Sequence, residues 1–251
     1  MTEPVWNKFL TERDKAVFDS AGYGTRGGYG KKPALIIIDV NYNFCGDTRE
    51  PILESIKKYR NSCGEDAWDA LPVIAKLAEA ARAKGIPVIY STGDGREDGW
   101  DRGGWAWKNS RQNEDLKAPE ARTSNRDGND IMDEIAPGPK DIVIRKLKPS
   151  VFNGTPLMGH INDLGADSLI VTGTTTSGCV RATVIDAFSL NLRVTIAEEG
   201  CFDRSEASHA INLCDMNAKY ADVIGADEVL EHINGLDDLD YNLPSGTPGS
   251  A

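Results

Sequence analysis

The stretch Leu169-Ile170-Val171-Thr172-Gly173-Thr174-Thr175-Thr176-Ser177-Gly178-Cys179-Val180-Arg181 decides how the rest of the chain is read. An apolar run breaks into a Gly/Thr/Ser turn, and a cysteine then opens a long amphipathic segment. That is the pattern of a buried strand, a tight turn and a helix N-terminus. Unpaired N–H groups and the positive dipole end at such a terminus favour a thiolate. The competing reading, and the commoner one for cysteine as a residue type, is a thiol packed as a small apolar group. The residues that the fold brings beside Cys179 have to decide between them.

Outward from this stretch the same alternation recurs. Ala34-Leu35-Ile36-Ile37-Ile38-Asp39-Val40 is a nearly continuous apolar run that carries an acid near its end. Such a run suits a central parallel strand covered on both faces. Leu71 to Lys84 carries apolar residues at helical spacing and stops at Gly85, and Ile86 to Thr92 follows as a second strand. Asp141 to Lys146 reads as the third strand, Pro156 to Leu164 as a helix closed by Gly165, and Leu169 to Thr172 as the fourth strand. Gly178 to Leu190 is then the helix behind Cys179, and Leu192 to Ala197 the fifth strand. A helix through Tyr220, a short strand at 221–225 and a helix near Glu228 to Leu230 complete the pattern. Together these predict a three-layer α/β/α sandwich with a mostly parallel sheet of about six strands.

The flanking segments read differently. Residues 5–20 form an amphipathic helix ahead of the main fold, packed either on a neighbouring subunit or on the local core. The glycine-rich string 23–30 precedes the first strand and lacks the Lys-Ser/Thr ending of a phosphate loop, so it is taken as a wrapping loop. Residues 93–127 hold Trp100, Trp105 and Trp107 among polar residues with no sustained period, which marks an insertion or lid. The tryptophans there suit a pocket, a subunit contact or loop anchoring. Residues 236–251, rich in Gly, Pro, Ser and Asp, read as a flexible tail.

The net charge of -11 argues against nucleic acid as a partner, because phosphate binding needs a basic surface. Five cysteines without a CxxC pair and three scattered histidines form neither a disulfide framework nor a zinc site. The N-terminal residues lack the apolar core of a secretory signal, and no apolar run approaches a membrane span. A cytoplasmic protein with reduced thiols, no membrane partner and no cofactor is the expectation.

In a parallel sheet the C-terminal strand ends gather along one edge, where ligands bind. Three of those ends carry Asp39, Lys146 and the turn into Cys179. A cation beside the thiol stabilises a thiolate, and the carboxylate can accept the thiol proton and pass it to a leaving amine. No histidine stands at a comparable position, which argues against a Cys/His pair.

Ile37-Ile38-Asp39, Lys146 four residues before Ser150-Val151-Phe152, and Gly173 to Val180, in that order, resemble the isochorismatase-like cysteine hydrolase superfamily over roughly residues 30–230. The resemblance implies a hydrolase domain over 31–235 and an Asp-Lys-Cys triad at Asp39, Lys146 and Cys179. It also implies a cis peptide at Thr174–Thr175, with the N–H groups of Thr175 and Cys179 aimed at a developing oxyanion. A cysteine nucleophile points to C–N hydrolysis, releasing ammonia from a small carboxylate-bearing amide or N-carbamoyl compound through a thioester. The Tyr29-Gly30 approach, Gly178 to Arg181 and Asp203-Arg204 are similar to the carbamoyl and maleamate amidases of that superfamily. Nicotinamidase-type members carry an Asp/His metal cluster, and residues 40–90 hold no histidine. By the same resemblance Arg204 suits a substrate carboxylate; Lys148, Asn41 and Trp105 are further substrate-binding candidates, and the family's habit together with the N-terminal helix suggests a homodimer or homotetramer. A maleamate- or nicotinamide-type amidase and a redox-active thiol protein are the alternatives carried forward.

Overall fold

The structure is a computed structural model that describes residues 3–108 and 122–246. Six strands form one sheet, parallel throughout: β1 (Pro33–Ile38), β2 (Val88–Gly93), β3 (Ile142–Lys146), β4 (Ser168–Thr174), β5 (Arg193–Phe202) and β6 (Asp222–Ile224). Their order is β3-β2-β1-β4-β5-β6. The chain thus leaves β1 toward one edge and returns at β4 toward the other, and ligand crevices open where the strand order reverses.

The strand sequences follow from position. Every residue of central β1 and β4 is buried, whereas edge strand β3 leaves Val143 and Arg145 exposed. Side chains alternate between the faces. Leu35 and Ile37 pack on one side with α4 (Glu65–Ala83) and α9 (Ala226–Gly235). Ala34, Ile36 and Ile38 pack on the other with α6 (Leu157–Leu164), α7 (Arg181–Ser189) and α8 (Glu206–Lys219). Each fully buried Leu or Ile of this kind contributes about 1.5–3 kcal/mol against exposure, so the two faces together hold the sheet between the helical layers.

Several boundaries differ from the sequence reading. Helix α4 begins at Glu65 rather than Leu71, so Pro72 lies inside it on an exposed face. Glu65 and Asp66 in its first turn complement the helix dipole, and buried Ala67 adds to its apolar stripe. Residues 5–20 are not one helix. A short turn at Asn7–Phe9 is followed by a fresh start at Thr11, whose hydroxyl and Asp14 make a capping box for α1 (Glu12–Ala21). Trp6 in that segment is buried against this chain's own core. A single turn α2 (Tyr42–Cys45) and helix α3 (Ile52–Lys58) form where the sequence shows only a polar loop.

In the insertion, Trp100–Arg102 and α5 (Gly104–Lys108) are short helical turns, and part of the expected lid lies outside the described residues. Loop 23–30 crosses the sheet edge, with the Gly27 and Gly28 N–H groups both donating to the Asp222 carboxylate. In the stretch assigned to the tail, the Leu239 N–H donates to the Lys84 carbonyl. The buried Tyr241 hydroxyl donates to the Pro33 carbonyl at 2.7 Å. No helix among the described residues is long and apolar enough to cross a membrane.

Candidate active site

Asp39 directly follows β1 and adopts φ 55°, a left-handed conformation that aspartate tolerates better than most residues. Ser91, paired in register with Ile38, donates its hydroxyl to Asp39 Oδ1 at 2.9 Å. Lys146, the last residue of β3, reaches past β2 and donates Nζ to Asp39 Oδ2 at 2.7 Å. The same ammonium lies 3.1 Å from the Lys148 carbonyl and 3.5 Å from Cys179 Sγ. Its three N–H bonds thus meet a carboxylate, a carbonyl and a sulfur. Asp39, Lys146 and Cys179 are 2%, 7% and 9% exposed, so these charges act with little screening by water.

That burial acts against the thiolate that a cation and a helix N-terminus favour. Desolvation pushes the Cys179 thiol up to about 12, and the Asp39 charge adds to this while Lys146 opposes it. The carboxylate that accompanies the lysine offsets much of its attraction for a thiolate. Burial also lowers the Lys146 pKa, but Asp39 and the sulfur together outweigh it, and the net direction is upward. The site therefore holds a protonated thiol beside an ammonium–carboxylate pair.

The turn carrying Cys179 is built by β4 and β5. The peptide bond between Thr174 and Thr175 is cis. Residues Thr176–Val180 make a wide π-type turn, with the Gly178 and Val180 N–H groups donating to the Thr175 carbonyl. Regular helix α7 begins only at Arg181, so Cys179 sits in the turn ahead of it. Gly173 has φ 105°, and a Cβ there would collide with the Ile38 backbone. Only glycine lets β4 lie this close to the end of β1.

The remaining candidates are distributed around this centre. The Arg204 guanidinium donates to the Asn61 carbonyl at 3.0 Å, and neighbouring Cys63 Sγ lies 3.7 Å from Thr174 Oγ1. Buried Thr175 lies beside the cysteine turn. The Lys148 ammonium packs against the Gly103 backbone, while its carbonyl serves Lys146. Trp105 Nε1 donates to the Leu147 carbonyl at 3.3 Å, tying the insertion to the residue after Lys146. Trp100 and Trp107 are largely exposed. Asn41 is buried, with Nδ2 donating to Thr92 Oγ1 at 3.0 Å, and Thr92 in turn donates to the Asn129 carbonyl. Thr92 of β2 thus links Asn41, just after β1, to Asn129, just past the insertion.

Nothing in the sequence distinguishes Ser91 from an ordinary strand residue. Asp203 is likewise marked in the sequence only as the residue before Arg204. Serine in strand position shows nothing of a carboxylate on the next strand. Among the described residues no group of three or more His, Cys, Asp or Glu gathers as a metal site.

Comparison with known proteins places this geometry in context. The chain is 32% identical to an N-carbamoylsarcosine amidase of Arthrobacter over 241 residues, spanning 93% of this chain and 83% of that one. It is 26% identical to a maleamate amidohydrolase of Pseudomonas putida, over 85% of this chain and 92% of the relative. A solved isochorismatase family protein from Desulfovibrio vulgaris superposes with a TM-score of 0.66 at 27% identity, covering 80% of this chain and all 100% of that one. Residues 33–228, from the first residue of β1 into α9, match the isochorismatase domain as a family, and the chain belongs to that family.

Proposed function

We propose that this chain is a cysteine amidohydrolase that releases ammonia from a small carboxylate-bearing amide or N-carbamoyl compound. The observation that carries the reading is the meeting of Asp39, Lys146 and Cys179 at three strand ends, within 2.7 and 3.5 Å of one ammonium. Kinship with an N-carbamoylsarcosine amidase and a maleamate amidohydrolase supports a C–N bond as the target.

The chemistry follows from the protonation state. Because the resting sulfur holds its proton, transfer to Asp39 accompanies attack on the substrate carbonyl. Lys146 stays charged and steadies the sulfur as negative charge develops there. The N–H groups of Thr175 and Cys179 are assigned to the oxyanion. Collapse of the tetrahedral adduct expels the amine, which takes the proton from Asp39 and leaves as ammonia. Water then cleaves the thioester to give the acid and restore the thiol. With an N-carbamoyl substrate the acid is a carbamate, which loses CO₂ to leave the amine.

Arg204 is assigned to the substrate carboxylate. Its exposed guanidinium rests on a neutral carbonyl, a partner it can exchange for a charged, bidentate one. The test is ammonia release across carbamoyl amino acids, maleamate, ureidoacrylate and nicotinamide. Turnover of a carboxylate-bearing member, lost in a folded Cys179→Ala protein, is the expected result. Wild-type rates in that variant would remove Cys179 as nucleophile.

A further inference from the structure

Behind the cysteine turn lies a carboxylate that the chemistry above does not use. Strands β4 and β5 shift register between Val171 and Gly173 and pair again at Gly173–Cys201 and Thr174–Phe202, so the residues that follow each strand emerge side by side. Asp203 Oδ2 accepts both the Ser177 N–H and the Ser177 hydroxyl, each at 2.7 Å. Its other oxygen, Oδ1, accepts the Arg204 N–H at 2.7 Å. Asp203 is 5% exposed, so these charge-assisted bonds are shielded from water. The preceding residue is held as well: Thr176 Oγ1 donates to the Phe202 carbonyl at 3.2 Å and lies 2.8 Å from His209 Nδ1.

We propose that Asp203 is a positioning residue that locks the thiol-bearing turn to the substrate-binding arginine. One oxygen sets the turn two residues before Cys179, and the other sets the backbone from which Arg204 extends. The distance between the reacting carbonyl and the substrate carboxylate is thereby fixed by a single side chain. This rests on the amidase reading for the meaning of the two arms, though not for their geometry. Only a carboxylate serves both, because all its lone pairs accept. An asparagine presents an NH₂ group to one of the two N–H donors and must give up that arm.

The experiment compares wild type, Asp203→Asn and Ser177→Ala on the best substrate of the ammonia panel, with thermal melts confirming that each variant folds. Ser177→Ala removes the hydroxyl bond but leaves the N–H, so it lowers kcat and leaves KM within twofold. Asp203→Asn lowers kcat and raises KM together, for a loss of about tenfold or more in kcat/KM. A folded Asp203→Asn protein with both constants within twofold of wild type overturns the proposal. Independently of turnover, labelling of Cys179 by iodoacetamide is followed by peptide mass spectrometry. Freeing the turn at Ser177 should speed labelling severalfold in Asp203→Asn. Should wild type release no ammonia from any substrate, the amidase reading falls while labelling still decides this one, and an unchanged labelling rate overturns it.

Discussion

Lys146 donates to Asp39 across 2.7 Å from a strand two places away in the sheet, and both side chains are nearly sealed from water. A buried pair of this kind contributes little net stability while intact. Removing one member leaves an uncompensated charge and costs about 3–5 kcal/mol. Asp39→Asn keeps the shape and the tolerance for positive φ but strips the lysine of its counter-charge. It should lower stability by about that amount in urea unfolding and reduce ammonia release by about 10²–10⁴-fold. Turnover within a few-fold of wild type would show that Asp39 is not the proton carrier.

The thiol's resting state gives a prediction in pH. Burial and the Asp39 charge hold Cys179 up to about 12, so only a small fraction is thiolate near neutrality. Its labelling by iodoacetamide should climb steadily from pH 7 to pH 10 without a plateau. Lys146 is the group that pulls this thiol downward, so Lys146→Met should slow labelling at every pH in that range. A plateau below pH 8 in wild type would contradict the protonated resting state.

Gly173 offers a test of how the sheet sets the site. At φ 105° against the Ile38 backbone, an added methyl has neither a relaxed conformation nor room. Gly173→Ala should destabilise by about 3 kcal/mol or more, through strain plus overpacking. Because Ile38 precedes Asp39, the variant that does fold should also lose activity. A melting temperature equal to wild type would mean that the two strand ends can separate freely.

Tyr241 tests whether the C-terminal stretch belongs to the folded unit. Its ring is buried, its hydroxyl bonds the Pro33 carbonyl, and the Lys32 ammonium lies 4.7 Å from the ring centre. Tyr241→Ala should cost about 2–4 kcal/mol, and Tyr241→Phe about 1 kcal/mol through the lost hydrogen bond. Thermal denaturation of the two variants checks both values. A neutral Tyr241→Ala would show that the segment adds nothing to the core.

The sequence by itself determined the layers, the strands and the three residues worth bringing together. The β-branched apolar runs at 34–38 and 169–171 suit buried strands, and the helical spacing between them suits parallel crossovers. Because such a sheet aligns its C-terminal ends, Asp39, Lys146 and Cys179 were legible as neighbours without coordinates. Tertiary structure alone decided their state. The thiol is protonated because burial and Asp39 act on it together, and a sequence position carries no burial and no distance. Ser91 and Asp203 were hidden for the same reason: each acts on a residue from another strand end, at hydrogen-bond distances that only the register of the sheet creates. Helix α4 shows the converse, since a local breaker at Pro72 was overridden by the apolar stripe and acidic first turn that extend the helix back to Glu65. Pattern fixes the strands of the sheet and which way they run; the packed sheet fixes how far apart their side chains stand, and the chemistry depends on that spacing.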